Sequence, residues 1–284
     1  MTVDTTSVGF IGLGQIGRPM ALRLADWPGG LWAYDVVPDA VDALVDAGAT
    51  RATSIIEVAE NSDVICLMVR DDDQVREVLA TLLGAARSGL VVVVHSTIHP
   101  DTASNLATVA AAQGVALVDA PVSGGSMGAS DGRLAIMVGG TPEAFERCRP
   151  VLEQMGSLVV HLGPVGSGTS AKLARNLLHF VSFTAVTEAQ RLAEAAGIDL
   201  AQLGAIVRHT DKITGGAGAI MYRDTTVPLA ADDAWRPIFE HVRALGEKDL
   251  GFALELGKAL GVDTPLAAMA LDRLGPGLGL EGTQ

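Results

Sequence analysis

Residues 8–20 read Val8-Gly9-Phe10-Ile11-Gly12-Leu13-Gly14-Gln15-Ile16-Gly17-Arg18-Pro19-Met20. An apolar run leads into Gly12-x-Gly14-x-x-Gly17, and Met20 to Ala25 continues with helical spacing. The order strand, tight glycine turn, helix is that of a dinucleotide-binding βαβ unit. In such a unit Gly12 permits the turn, Gly14 lets the backbone approach a pyrophosphate, and Gly17 allows the helix to pack closely on the strand. The pyrophosphate then lies at the helix N-terminus, where unpaired N–H groups and the macrodipole favour an anion. In a chain with 33 glycines the triplet alone is a weak signal, so its surroundings matter. A second apolar run, Leu31–Tyr34, ends in Asp35, about 20 residues beyond the glycines, where an acidic residue accepts hydrogen bonds from ribose hydroxyls. A carboxylate there repels a 2′-phosphate, and Val36 and Val37 offer it no cation. NAD is therefore expected rather than NADP.

Outward from this turn, apolar runs alternate with helical patterns as far as about residue 162. The runs are Val8–Ile11, Leu31–Tyr34, Val64–Val69, Leu90–His95, Ala116–Val118, Leu134–Val138 and Leu158–Leu162. Several are continuous rather than alternating, as in parallel strands buried on both faces. Helices are expected over Asp39–Ala47, Ile55–Glu60, Asp73–Leu83, Thr102–Gln113 and Pro142–Met155, with Thr53 and Thr141 as N-caps and Gly48 and Gly114 as helix-ending glycines. The alternation predicts an α/β fold, a Rossmann-type doubly wound sheet over residues 1–163. Beyond it, residues 164–284 read as an all-helical domain introduced by a long connecting helix, 169–196, closed by Gly197. Leu200–His209, Pro237–Leu260 and Pro265–Leu274 continue it, with a glycine-rich loop over Ile213–Ala231 and a frayed tail, Gly275–Gln284.

Composition excludes several classes. The chain of 284 residues is 49% hydrophobic and 19% charged, unlike a disordered sequence. A net charge of -13 argues against nucleic-acid or anionic-membrane partners, which require basic surface. No apolar run approaches a membrane span and no secretory signal is evident. The two cysteines, Cys66 and Cys148, read as buried free thiols, which fits a cytoplasmic location. The six histidines show no metal-ligand spacing, so no metal is expected. The long helix carries too much apolar surface for a lone rod, which predicts a homodimer or homotetramer.

Three stretches could carry chemistry. Asp119-Ala-Pro-Val-Ser-Gly-Gly125 follows a strand, where ligands bind in open α/β sheets; Ser123 and the N–H groups of Gly124 and Gly125 could cradle a carboxylate. In Gly166-Ser-Gly-Thr-Ser-Ala-Lys172-Leu-Ala-Arg-Asn176, Lys172 and Asn176 are four apart and share one helix face. An Asn beside a Lys set among Ala and Leu suits proton exchange with a carbonyl or alcohol oxygen. The third, Glu247-Lys248-Asp249-Leu250, reads on its own as a surface charge cluster.

With GFIGLGQIGRPM (9–20), HSTIHP (95–100), DAPVSGG (119–125), GSGTSAKLARN (166–176) and EKDL (247–250) in this order, the chain resembles the β-hydroxyacid dehydrogenase family over nearly its whole length. The resemblance implies a cleft between a Rossmann-type domain and a helical domain, and reversible oxidation of a short 3-hydroxy acid to its semialdehyde by a nicotinamide cofactor. It implies Lys172 as general acid/base, Asn176 as a substrate-binding partner, and Ser123, Gly124 and Gly125 as holders of the substrate carboxylate. Thr97 would lie near the nicotinamide ribose and Lys248 would close on the cofactor. The cofactor-binding set is then Gly12, Gly14, Gln15, Ile16, Gly17, Asp35, Met68, Val69, Thr97 and Lys248. Arg70 departs from the family, which usually has Pro there, and His95 and His99 flank a Ser-Thr pair where smaller or acidic residues are common. Two other readings are a non-catalytic dinucleotide-binding protein on the same fold and an imine-reducing relative. Lys172 counts against both, since the first need not keep it and the second generally replaces it.

Overall fold

The computed structural model describes residues 6–221 and 223–280. It divides into two compact units, the first ending at Arg175 and the second beginning at Asn176. In the first unit the chain runs β1 (Val8–Ile11), α1 (Gly17–Leu22), β2 (Leu31–Tyr34), a 3-10 turn (Pro38–Val41), α2 (Asp42–Asp46), β3 (Thr50–Arg51), α3 (Ile55–Asn61) and β4 (Val64–Leu67). It continues through α4 (Asp72–Leu83), β5 (Val91–Val94), α5 (Pro100–Ala111), β6 (Ala116–Asp119), β7 (Val122–Ser123), α6 (Gly125–Ser130), β8 (Ala135–Gly139), α7 (Pro142–Met155) and β9 (Leu158–Gly163). The unit closes with the start of a long helix, α8 (Ser167–Ala195).

One sheet organises this unit, in the order β3-β2-β1-β4-β5-β6-β8-β7, with β9 on β8. The pairs from β3 through β6 are all parallel, while β8 runs antiparallel to β6 and β7. Continuous apolar runs form β1, β4 and β5 because every residue in them is buried. Along β4 the faces alternate with the period of a strand. Val64 and Cys66 join one core with Phe10, Met20 and Leu24, and Ile65 and Leu67 join the other with Leu79 and Leu82. Cys148 of α7 lies in the same core as Cys66, and both thiols are free and enclosed. The chain reverses its direction of winding at β1, whose neighbours are β2 and β4, so the crevice for a ligand opens beyond the carboxyl ends of those strands.

Local signals explain most boundaries. Thr141 caps α7, its hydroxyl accepting from the Ala144 N–H at 3.2 Å. At α3 the cap is Ser54 rather than the expected Thr53. Ser54 and Glu57 have the spacing of a capping box. The Ser54 hydroxyl accepts from Glu57 N–H at 3.1 Å, and the Glu57 carboxylate accepts from both the N–H and hydroxyl of Thr53 at 2.7 Å. Gly48 and Gly114 end their helices with left-handed backbone, at φ of 108° and 71°.

The second unit holds the rest of α8, then α9 (Leu200–Thr214), a 3-10 turn (Gly216–Gly218), α10 (Arg236–Leu260) and α11 (Pro265–Gly277). Glu188 of α8 is buried, and its two carboxylate oxygens accept from the N–H groups of Leu266 and Ala267 at 3.0 and 2.9 Å, capping α11. The tail is not frayed over residues 275–280. Gly275–Gly277 are helical, Leu278 and Leu280 are buried with Leu229 and Phe239, and Leu229 N–H donates to the Gly279 carbonyl at 2.8 Å. Apolar anchoring outweighs the glycine content there; residues 281–284 lie outside the described residues. Among the described residues no helix is long and apolar enough to cross a membrane.

Candidate cofactor and active site

The glycine turn between β1 and α1 sorts its three glycines by cause. Gly12 has φ 94°, and a Cβ there would run into the Met68 carbonyl oxygen at the end of β4. A Cβ on Gly17 would strike the carbonyl oxygen of Gly12. Both are required by the protein's own packing. Gly14 is different: it is exposed, and a Cβ on it would meet nothing within 4 Å. The opening it leaves faces the turn, and no side chain caps α1. Bare backbone at Gly14, beside a helix N-terminus that no side chain caps, leaves room for an anionic phosphate.

A cleft of about 590 Å³ opens here, lined by Gly12, Gly14, Gln15, Ile16, Gly17, Asp35, Met68 and Val69 among others. Asp35 stands at the tip of β2. One of its carboxylate oxygens accepts from Leu13 N–H at 2.6 Å and the other from Val37 N–H at 2.8 Å, so the group is fixed at the cleft edge with lone pairs left to accept from a polyol. Ile55 and Val78 supply apolar walls, and Arg70 sits on the rim. A ribose-binding carboxylate, a phosphate cradle and an apolar slot along one crevice fit a dinucleotide.

Thr97 lies exposed in the loop after β5, outside the residues that line the cleft. Its neighbour Ser96, not singled out from sequence, locks the two strand-end loops together: its hydroxyl accepts from Val69 N–H at 2.9 Å and donates to the Val69 carbonyl at 2.7 Å. His95 points inward. Its Nδ1–H donates to the Ala120 carbonyl at 2.8 Å, and its ring stacks on Phe10. Burial pushes its pKa down to about 4, so it is a neutral structural group near pH 7. His99 caps α5, its Nδ1 accepting from Asp101 N–H at 3.2 Å.

A second set of candidate residues begins where β6 ends. Ser123 closes the short strand β7, and Gly124 and Gly125 follow with φ of 138° and 64°, backbone that side chains rarely adopt. Four residues before Ser123, Asp119 is fully buried. Its two carboxylate oxygens accept from the N–H groups of Gly166 and Thr169, each at 2.7 Å, at the N-terminus of α8. Lys172 lies one turn further along α8, half-buried. Desolvation, and then the positive charge of Arg175, lower its pKa from the usual lysine value of 10.5. Asn176 follows a turn later on the same helix face.

Lys248 belongs to α10 in the second unit. Its ammonium is 3.0 Å from the Asp249 carboxylate and 6.0 Å from the centre of the Phe252 ring, while Glu247 pairs with Arg243 at 2.7 Å. No group of His, Cys, Asp and Glu suited to a metal ion occurs among the described residues.

Residues 7–163 match the family model described as the NAD binding domain of 6-phosphogluconate dehydrogenase. Residues 166–274 match the one described as NAD-binding of NADP-dependent 3-hydroxyisobutyrate dehydrogenase. The chain is 52% identical over 280 residues to an uncharacterized oxidoreductase of Mycobacterium tuberculosis, covering 98% of this chain and 95% of that protein. It is 36% identical over 278 residues to the NAD-dependent L-serine dehydrogenase of Pseudomonas aeruginosa, covering 93% and 89%. A crystal structure of a Mycobacterium avium 104 protein described as an oxidoreductase superposes with a TM-score of 0.94 at 49% identity, covering 97% and 99%.

Proposed function

The chain belongs to the β-hydroxyacid dehydrogenase family, and we propose that it oxidises a short 3-hydroxy acid to its semialdehyde with NAD, Lys172 serving as general acid/base. The family uses a nicotinamide dinucleotide, which when bound supplies the hydride acceptor. This chain's residues do the rest. Ser123 with the amides of Gly124 and Gly125 holds the substrate carboxylate, and Asn176 orients the hydroxyl. Lys172 accepts the hydroxyl proton as the carbinol carbon gives up its hydride, and returns that proton in the reverse direction. A lysine must be neutral to accept a proton, and the observation that carries this role is the half-buried place of Lys172 on α8, one turn beyond the terminus that Asp119 holds, where desolvation lowers its pKa. The preference for NAD rests on Asp35, whose fixed carboxylate repels a 2′-phosphate. L-serine is itself a 3-hydroxy acid, so the Pseudomonas aeruginosa relative supports the substrate class.

The test is NADH formation on 3-hydroxyisobutyrate, L-serine and glycerate. Lys172→Ala should lower turnover by about three orders of magnitude while leaving NAD binding in place; retained turnover rejects the lysine assignment. Asp35→Ala should narrow the preference for NAD over NADP, and an unchanged ratio would remove Asp35 from the ribose site. We further propose a homodimer or homotetramer: Leu177, Phe180, Val181 and Phe183 of α8 are exposed in the single chain. A monomer in sedimentation at micromolar concentration would overturn that.

A further inference from the structure

We infer that Asp119 is a positioning residue whose carboxylate clamps the N-terminus of α8 and thereby sets Lys172 relative to the Ser123–Gly125 loop. The inference rests on the reading of Lys172 as the proton acceptor. A fully buried carboxylate is costly unless its oxygens are satisfied, and here each takes one amide of the α8 terminus at 2.7 Å. These are not the bonds of a local cap, because the partners lie 47 and 50 residues further along the chain. A carboxylate oxygen on helix-terminal N–H, aided by the helix dipole, is among the stronger hydrogen bonds a protein makes.

The surroundings are built for close approach. A Cβ on Gly139 would collide with the Asp119 carboxylate, and a Cβ on Gly168 would collide with the carbonyl oxygens of Met137 and Asp119. Asp119 is itself held, since its strand pairs with β5 and the next residue, Ala120, donates to the Val94 carbonyl at 2.8 Å and accepts from His95. One strand end therefore leads into the Ser123 loop through four residues of chain and into Lys172 through one helical turn. An error of about 1 Å between a catalytic group and its substrate can cost about a hundredfold in rate. A charged clamp at the base of the helix removes that freedom. Asparagine cannot reproduce it, because its amide nitrogen offers a donor where the helix also presents a donor.

The experiment compares Asp119→Asn with Asp199→Asn, which alters a carboxylate cap at α9 that accepts from Gln202 N–H at 2.8 Å. Amide exchange is followed by mass spectrometry, and turnover is measured in the wild-type and Lys172→Ala backgrounds. Asp119→Asn should speed exchange over residues 166–172 and lower kcat about tenfold or more, with the Kd for NADH within about twofold of wild type. It should cost nothing further in the Lys172→Ala background, because a residue that acts through lysine has no effect without it. Asp199→Asn should change neither exchange at 166–172 nor kcat. Unchanged exchange over 166–172, or an equal fold-loss in both backgrounds, overturns the inference. If Asp119→Asn does not fold, Thr169→Pro deletes one of the two donors at a first-turn position that tolerates proline, and the same readouts apply. Lys172→Ala at full turnover would sink the lysine reading and with it the effect of Asp119 through lysine, whereas unchanged exchange over 166–172 with Lys172→Ala inactive would sink the clamp alone.

Discussion

Gly12, Gly14 and Gly17 are glycine for different reasons, and that difference can be measured. Gly17→Ala places a methyl against the Gly12 carbonyl oxygen, an overpacking of backbone against backbone that should cost about 2 kcal/mol or more in denaturant unfolding. Gly14→Ala meets nothing, so stability should stay within about 0.5 kcal/mol while NADH binding weakens, as read by fluorescence titration. A Gly14→Ala protein that binds NADH as tightly as wild type would remove the phosphate from this turn. Lys172 offers a second test at this scale. Its pKa is lowered by desolvation first and by Arg175 second, so the free base is present at lower pH than for an exposed lysine. Oxidation should rise with pH through that lowered pKa. Arg175→Gln should move this limb of the kcat profile to higher pH, and a limb that stays put would exclude the charge contribution. For folding the sign is the same: between the lowered pKa and 10.5 the unfolded chain holds the extra proton, so stability gains as pH rises through that window. Gly12, Gly14, Gly17 and Asp35, which line the cleft, were legible because they sit in a short motif or just past a strand, and the same kind of motif singled out Ser123 and Lys172 as candidates. The contacts of Asp119 were not legible, since its partners are distant in sequence and only the fold brings them to it.

Among elements, β1, β4 and β5 were readable because burial on both faces leaves an unbroken apolar run. β3, β7 and α6 were not. Two residues carry no periodicity, and Gly125-Ser-Met-Gly-Ala-Ser130 has two glycines, a composition that by propensity alone opposes a helix. Tertiary packing decides there: Ala129 is buried in the core that also holds Leu134. The same reason corrects the tail, where two leucines settle what three glycines suggested otherwise. Within the second unit, Glu188 gives an element-scale prediction. It joins the middle of α8 to the start of α11 by satisfying two orphan amides. Glu188→Ala should lower stability by about 2 kcal/mol and raise amide exchange at residues 266–267, without changing affinity for NADH in the first unit. A loss under about 0.5 kcal/mol would show that water replaces the carboxylate at no cost.

At the scale of the whole molecule, the cofactor cleft lies entirely within the first unit. Ligand bound only to the native state stabilises it by mass action, so NADH at about 100 times its Kd should add about 2.7 kcal/mol to that unit. NADPH at the same concentration should add less if Asp35 discriminates as proposed; calorimetric melting with each nucleotide decides this. The net charge of -13 is a property of the same scale, and it bears on long-range repulsion of other anions rather than on the fold.

The two cysteines also make the first unit a clock of its own opening. The chain has no others, both lie in one core, and burial raises the Cys148 thiol to about 12 and the Cys66 thiol further still. An alkylating reagent reacts with thiolate, which neither residue offers while the sheet is closed. Incorporation of label therefore counts openings of the sheet unit and is blind to fluctuations in the helical one. When closing outpaces labelling, its rate gives the free energy of that opening; when it does not, the rate of unfolding itself. A native protein that labels within seconds would mean that this core breathes far more than its packing implies.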